Sequence, residues 1–124
     1  FDTLSHPDLI KNILPREWQV DTYLDHVKGL LDEIAATGIA MELNTSGLYK
    51  PPNEMNPGAL ILREIASRKI PIVLGSDAHQ PRRVADRFPE ALDLLATCGF
   101  QSVSIFLDRR RSEIPISAAL ASLT

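Results

Sequence analysis

The sequence predicts an α/β fold built on a parallel sheet, and three observations carry that expectation. Short apolar runs rich in branched residues alternate with amphipathic segments of helical period. The helical segments are bounded by residues suited to start and stop helices. Polar side chains capable of chemistry interrupt the apolar runs at one end only, the end beyond which ligands bind in parallel architectures.

The first strand is a stub around Phe1 to Ser5. The second is Ile39-Ala40-Met41-Glu42-Leu43-Asn44, the third Ile70 to Ser76, and the fourth Ser102 to Leu107. Asp21 is placed to cap a helix with Leu24, Val27, Leu31 and Ile34 on one face, stopped by Gly38. Asn56 is expected to cap a second helix, with Pro57 at its first position and Leu60, Ile61 and Ile65 facing inward. A third runs from about Pro89 to Cys98, with Ala91, Leu92 and Leu95 apolar and Gly99 as its stop. Strand and helix alternate from end to end, which predicts right-handed βαβ units in one parallel sheet. No repeat, low-complexity tract or linker divides the chain, so residues 1–124 read as one domain. An open doubly wound sheet and an arc of a (β/α) barrel both satisfy this order. No G-x-G-x-x-G and no Walker A pattern is present, which weighs against a nucleotide fold.

With 124 residues and 44% apolar side chains, the chain can bury a core of its own. Its 13 basic and 16 acidic residues are interspersed and leave a net charge of −3, so neither nucleic acid nor a membrane surface is an expected partner. Arg109-Arg110-Arg111 follows an apolar run and reads as a solvated strand end, with phosphate binding the alternative. No apolar stretch approaches the ~20 residues that span a bilayer, and no signal peptide is visible at Phe1-Asp2-Thr3-Leu4. The single cysteine, Cys98, fits a reducing cytoplasm and reads as a buried thiol. The chain opens without methionine, in what reads as the middle of an element, as a fragment or a processed product would.

The candidate site residues cluster at the carboxyl ends of the strands: His6, then Glu42 and Asn44, then Asp77 and His79. In Ser76-Asp77-Ala78-His79 a strand ends in a carboxylate and an imidazole two residues apart, a pair suited to Zn, Mn or Fe. Alternatively Asp77 caps a turn and His79 is an ordinary loop residue. His6 precedes Pro7, which is expected to hold it extended as a strand-end ligand; the competing reading is a helix entrance with Asp8 capping Leu9-Ile10-Lys11. Glu42 points either into a barrel or toward the helices, and inside a barrel it needs a partner. Asn44 orients a substrate or caps the next turn. Arg82 and Arg83 follow closely after His79 and could clamp a phosphate; the alternative is surface exposure on the following helix, expected for at least one of the pair. His26 lies off the apolar stripe of its helix and reads as a surface residue.

These residues also carry a resemblance. Ser5-His6-Pro7-Asp8 resembles the G-H-x-D-type motif of the PHP (polymerase and histidinol phosphatase) phosphoesterases, and Gly75-Ser76-Asp77-Ala78-His79 resembles their S-D-A-H motif. Glu42 to Pro51 is similar to the segment E-[IL]-N-T-[AS]-G-L-x-K-P of the histidinol phosphatase branch. The resemblance implies the C-terminal part of a distorted (β/α)7 TIM-like barrel, with His6, Asp77 and His79 as ligands in a site of up to three divalent metal ions. Asp77 and His79 would be catalytic through that metal, and Arg82, Arg83 and Asn44, singled out above on residue type and position, are the candidates to contact the phosphorylated substrate. The implied reaction is hydrolysis of L-histidinol phosphate by a metal-activated hydroxide. Another phosphomonoester or nucleotide substrate, or an inactive structural module, is the alternative. The family's H-x-H motif is missing, so the N-terminal half is expected to lie outside these residues; Ser5 where glycine is usual is a mild departure. A half barrel would pair with that half or self-associate.

Overall fold

The structure, a computed structural model, describes residues 1–123. In chain order the elements are β1 (Thr3–Leu4), α1 (Ile10–Ile13), α2 (Val20–Thr37), β2 (Ala40–Asn44), α3 (Ala59–Ser67), β3 (Ile72–Gly75), α4 (Phe88–Cys98), β4 (Ser102–Leu107), β5 (Arg110–Pro115) and α5 (Ile116–Ser122). A 3₁₀ turn at Thr45–Tyr49 follows β2, and another at Pro81–Arg83 follows β3.

β1, β2 and β3 form a parallel three-stranded sheet in that order, with Leu4 opposite Met41 and Asn44 opposite Gly75. The chain is therefore mixed α/β with a parallel sheet, compatible with part of a TIM-like fold. The fourth strand departs from the expectation. β4 is laddered antiparallel with β5, from Ser102 opposite Pro115 to Leu107 opposite Arg110. Asp108 and Arg109 both take positive φ, 49° and 62°, as the central residues of a two-residue hairpin turn do. The arginine run is thus the turn and first residues of a hairpin strand rather than a solvated strand end. Its polar pattern hid β5, whose only partly buried apolar residue is Ile114.

Helix stops follow the sequence closely. Gly38 (φ 73°) ends α2 and Gly99 (φ 104°) ends α4, each donating its N–H back to an open carbonyl of the last turn. Two starts differ. α2 begins at Val20, with Gln19 as N-cap and Asp21 inside the first turn, where its charge still favours the helix dipole. α3 begins only at Ala59, because the Asn56 side chain is taken up by a buried carboxylate and Gly58 is left as N-cap. Leu60 accordingly faces outward, 38% exposed, while Ile61, Leu62 and Ile65 are buried.

One core joins Leu31 of α2, Met41 and Leu43 of β2, Ile61, Leu62 and Ile65 of α3, Ile72 of β3, and Leu92 and Leu95 of α4. Leu62, Ile65 and Leu95 are wholly buried, each contributing about 1.5–3 kcal/mol of transfer free energy. Met41 and Leu43 face these helices, so Glu42 between them leaves from the opposite face of the sheet. Among the described residues, no helix is long and apolar enough to cross a membrane.

Candidate active site at the carboxyl ends of the parallel strands

His6 follows β1 and Glu42 lies in β2, and the parallel register brings their side chains together. His6 Nδ1 is 3.5 Å from Glu42 Oε2. That oxygen is buried and has no hydrogen-bond partner among the described residues. A buried carboxylate oxygen without a donor costs free energy unless a water or cation answers it. His6 is not extended: its φ is 49°, because the chain turns there and Leu9 N–H donates to the His6 carbonyl at 3.2 Å. Glu42 reaches its place only because residue 75 is glycine. A β-carbon at Gly75 would stand 2.0 Å from Glu42 Oε1.

Asp77 and His79 follow β3. Asp77 also takes positive φ, 48°, a conformation that Asp and Asn tolerate better than most residues. His79 Nδ1 lies 2.8 Å from the Asp77 carbonyl oxygen and 4.0 Å from its Oδ1. His79 is open to solvent at 83% side-chain exposure, and Asp77 is one-third exposed. The structure therefore yields two pairs, His6 with Glu42 and Asp77 with His79. Among the described residues, no group of three or more His, Cys, Asp or Glu side chains is arranged to hold a metal ion. A divalent cation is nonetheless chemically suited to both pairs, and the orphaned Glu42 oxygen beside an imidazole nitrogen is the strongest structural sign of one.

A cleft of about 340 Å³ opens beside the second pair, lined by Ser46, Tyr49, Lys50, Asp77, His79 and Gln80 together with Arg82 and Arg83. Its two arginines behave differently. Arg83 Nε is 2.7 Å from Asp86 Oδ2, and its guanidinium carbon lies 3.8 Å above the Tyr49 ring. Tyr49 donates its hydroxyl to the same Asp86 oxygen at 2.8 Å, and Thr45 donates to the Asp86 carbonyl at 2.8 Å. Arg82 is exposed and its side chain has no partner among the described residues. Asn44 does not line this cleft. It is 1% exposed, its Oδ1 accepts from Ser46 N–H at 2.9 Å, and its backbone bonds Asn56 in both directions. Its side chain thus caps the 3₁₀ turn that follows β2.

Beneath the site lies a buried polar network that the sequence reading passed over. The Asp8 carboxylate is 2% exposed and does not cap α1. It accepts from Asn56 Nδ2 at 2.9 Å and Gly58 N–H at 3.0 Å, and pairs with Lys11 Nζ at 2.8 Å. Lys11 is wholly buried and also donates to Glu54 Oε2 at 3.0 Å and the Met55 carbonyl at 2.5 Å. This network ties the turn carrying His6 to the loop leading into α3. The available signal was a lysine three residues after an aspartate in an otherwise apolar stretch, Leu9-Ile10-Lys11-Asn12-Ile13. His26 is exposed, as expected.

Fold and site together describe an α/β protein with acidic and imidazole side chains at the carboxyl ends of adjacent parallel strands, beside a cationic cleft. No protein-family model matches the chain. Among curated proteins, it is 38% identical over 104 residues to the probable histidinol-phosphatase of Deinococcus radiodurans, a match covering 84% of this chain and 38% of that protein. It is 39% identical over 61 residues to the histidinol-phosphatase of Bacillus subtilis, covering 45% of this chain and 23% of that protein. The chain thus spans well under half the length of the curated relatives it matches, and over that part it is histidinol-phosphatase-like.

Proposed function

We propose that these residues are the C-terminal part of a PHP-type, metal-dependent phosphomonoesterase acting on L-histidinol phosphate. The observation that carries the reading is the meeting of His6 and Glu42 across β1 and β2, around an unanswered carboxylate oxygen, in a chain 38% identical to a histidinol-phosphatase. His6, Asp77 and His79 would hold divalent Zn, Mn or Fe, with Glu42 beside His6, and further ligands would come from residues outside these 124. Bound there, such a cation supplies positive charge for the phosphoryl oxygens and lowers the pKa of water. The chain's own residues divide the remaining work. Glu42 places a carboxylate oxygen 3.5 Å from His6 Nδ1, so that a cation held by the imidazole would also meet a negative charge. The Asp77 carbonyl, 2.8 Å from His79 Nδ1, holds that ring so that its other nitrogen is directed away from Asp77. Cationic side chains on the cleft wall would receive the phosphate group. The small phosphorylated substrate is then the partner, and a soluble cytoplasmic setting suits the reaction.

The test is phosphate release from L-histidinol phosphate by the full gene product, with Mn²⁺ or Zn²⁺ added. Asp77→Asn is the informative variant, because asparagine tolerates the same positive φ and the side chain is partly exposed. Its unfolding free energy should stay within about 0.5 kcal/mol of the parent, while turnover falls by about 100-fold or more. Full turnover by Asp77→Asn would remove the ligand assignment. A folded, metal-loaded parent that releases phosphate from other monoesters but not from this one would move the substrate and keep the chemistry.

A further inference from the structure

The chain carries a net charge of −3, yet the cleft beside Asp77 is lined by three cationic side chains, Lys50, Arg82 and Arg83. They are not equivalent. Arg83 is held by charge and stacking: its Nε lies 2.7 Å from Asp86 Oδ2 as an ion pair without hydrogen-bond geometry, its guanidinium is stacked on Tyr49, and Tyr49 donates to the same carboxylate oxygen. That carboxylate offsets the Arg83 charge locally. Lys50 and Arg82 are exposed, and neither side chain has a partner among the described residues. They approach the cleft from different loops, Lys50 after the 3₁₀ turn behind β2 and Arg82 from the turn behind β3.

We propose that Lys50 and Arg82 form the anion grip of this cleft, taking the dianionic phosphate of a phosphomonoester, while Arg83 with Tyr49 and Asp86 is a clasp that holds the two loops at the right separation. This rests on the phosphatase reading for its substrate class, but the grip itself binds any phosphate. The division of roles follows from charge and shape. Arg82 can present its planar fork bidentately to two phosphoryl oxygens, and Lys50 can add a point charge from the facing loop. Arg83 can join them only by giving up its ion pair and its aromatic stack. The clasp has a structural function of its own, since Thr45 and Tyr49 on one loop and Arg83 and Asp86 on the other are joined through a single residue, Asp86.

The experiment is titration of the full gene product with inorganic phosphate, followed by calorimetry, with tryptic nicking of the loop around residues 81–87 scored in parallel. Lys50→Met and Arg82→Gln should each weaken phosphate binding about fivefold, as expected for charge-assisted contacts at a partly exposed site. Arg83→Gln should leave it within about twofold and instead make the loop more readily nicked. Asp86→Asn is the second probe of the clasp: it should loosen the loop in the same way while phosphate binding is kept or strengthened, because Arg83 is released. The proposal fails if the parent binds no phosphate, if Arg83→Gln weakens phosphate as much as Arg82→Gln, or if Lys50→Met and Arg82→Gln leave it unmoved. A protein that binds phosphate with this dependence yet hydrolyses no histidinol phosphate upholds the grip and removes only the substrate reading.

Discussion

Lys11→Met is the substitution whose cost follows most directly from the structure. The side chain is wholly buried, and its ammonium group meets Asp8 Oδ2 at 2.8 Å, Glu54 Oε2 at 3.0 Å and the Met55 carbonyl at 2.5 Å. Methionine has nearly the same length and is apolar, so packing changes little and the loss is chiefly electrostatic. Removing one partner of a buried ion pair costs about 3–5 kcal/mol, because the other charge stays buried and unanswered. Asp8 keeps its donors from Asn56 and Gly58, which places the expected cost at the lower end, about 3 kcal/mol. For a chain of 124 residues that is a fall of about 10–15 °C in Tm, readable by circular dichroism. The sharper reading comes from adding Asp8→Asn. Alone it should cost about 1–3 kcal/mol, since Lys11 keeps Glu54 and the Met55 carbonyl. Combined with Lys11→Met it removes the stranded charge, so the double variant should be less destabilised than the sum of the singles by about 1 kcal/mol or more. Strict additivity, or a Lys11→Met loss under about 1 kcal/mol, would refute the buried-pair reasoning.

Two further predictions probe other parts of the molecule. Gly75→Ala puts a β-carbon 2.0 Å from Glu42 Oε1 and must push that side chain off His6; the stability cost should be about 1–2 kcal/mol, with phosphatase turnover down at least about tenfold, and unchanged turnover would show that the Glu42–His6 contact is dispensable. Cys98 is 7% exposed, and burial pushes its thiol above the ordinary range. At pH 8 it should react with Ellman's reagent at least about tenfold more slowly than a free thiol, becoming fast only in guanidinium; prompt reaction of the native protein would contradict that burial.

The elements most legible in the sequence were those whose signal is local. Gly38 and Gly99 announced helix ends because a left-handed C-cap is open to glycine at no steric cost. Leu31 in its helical stripe, and Leu92 with Leu95, announced buried faces by their spacing. β5 was illegible, because Arg110-Arg111-Ser112-Glu113 is exposed along its length and carries no apolar alternation. Asn56 misled for a related reason: as an N-cap candidate its local pattern was sound, but a carboxylate 48 residues away holds its side chain.

The site divides along the same line. From sequence alone came its inventory and level in the fold: His6, Glu42, Asp77 and His79 at the ends of successive strands, with Arg82 and Arg83 nearby. Residue type and strand periodicity suffice for that, since both are properties of short segments. Only the tertiary structure decided that Glu42 turns to His6 over Gly75 and that Asn44 caps a turn. It also showed that Arg83 pairs with Asp86 while the Arg82 side chain has no partner among the described residues, and that Lys11 anchors Asp8 beneath the site. Each of those outcomes depends on which group lies across a gap of many residues. Burial strips away water and leaves a polar side chain to take whatever partner the fold brings within reach.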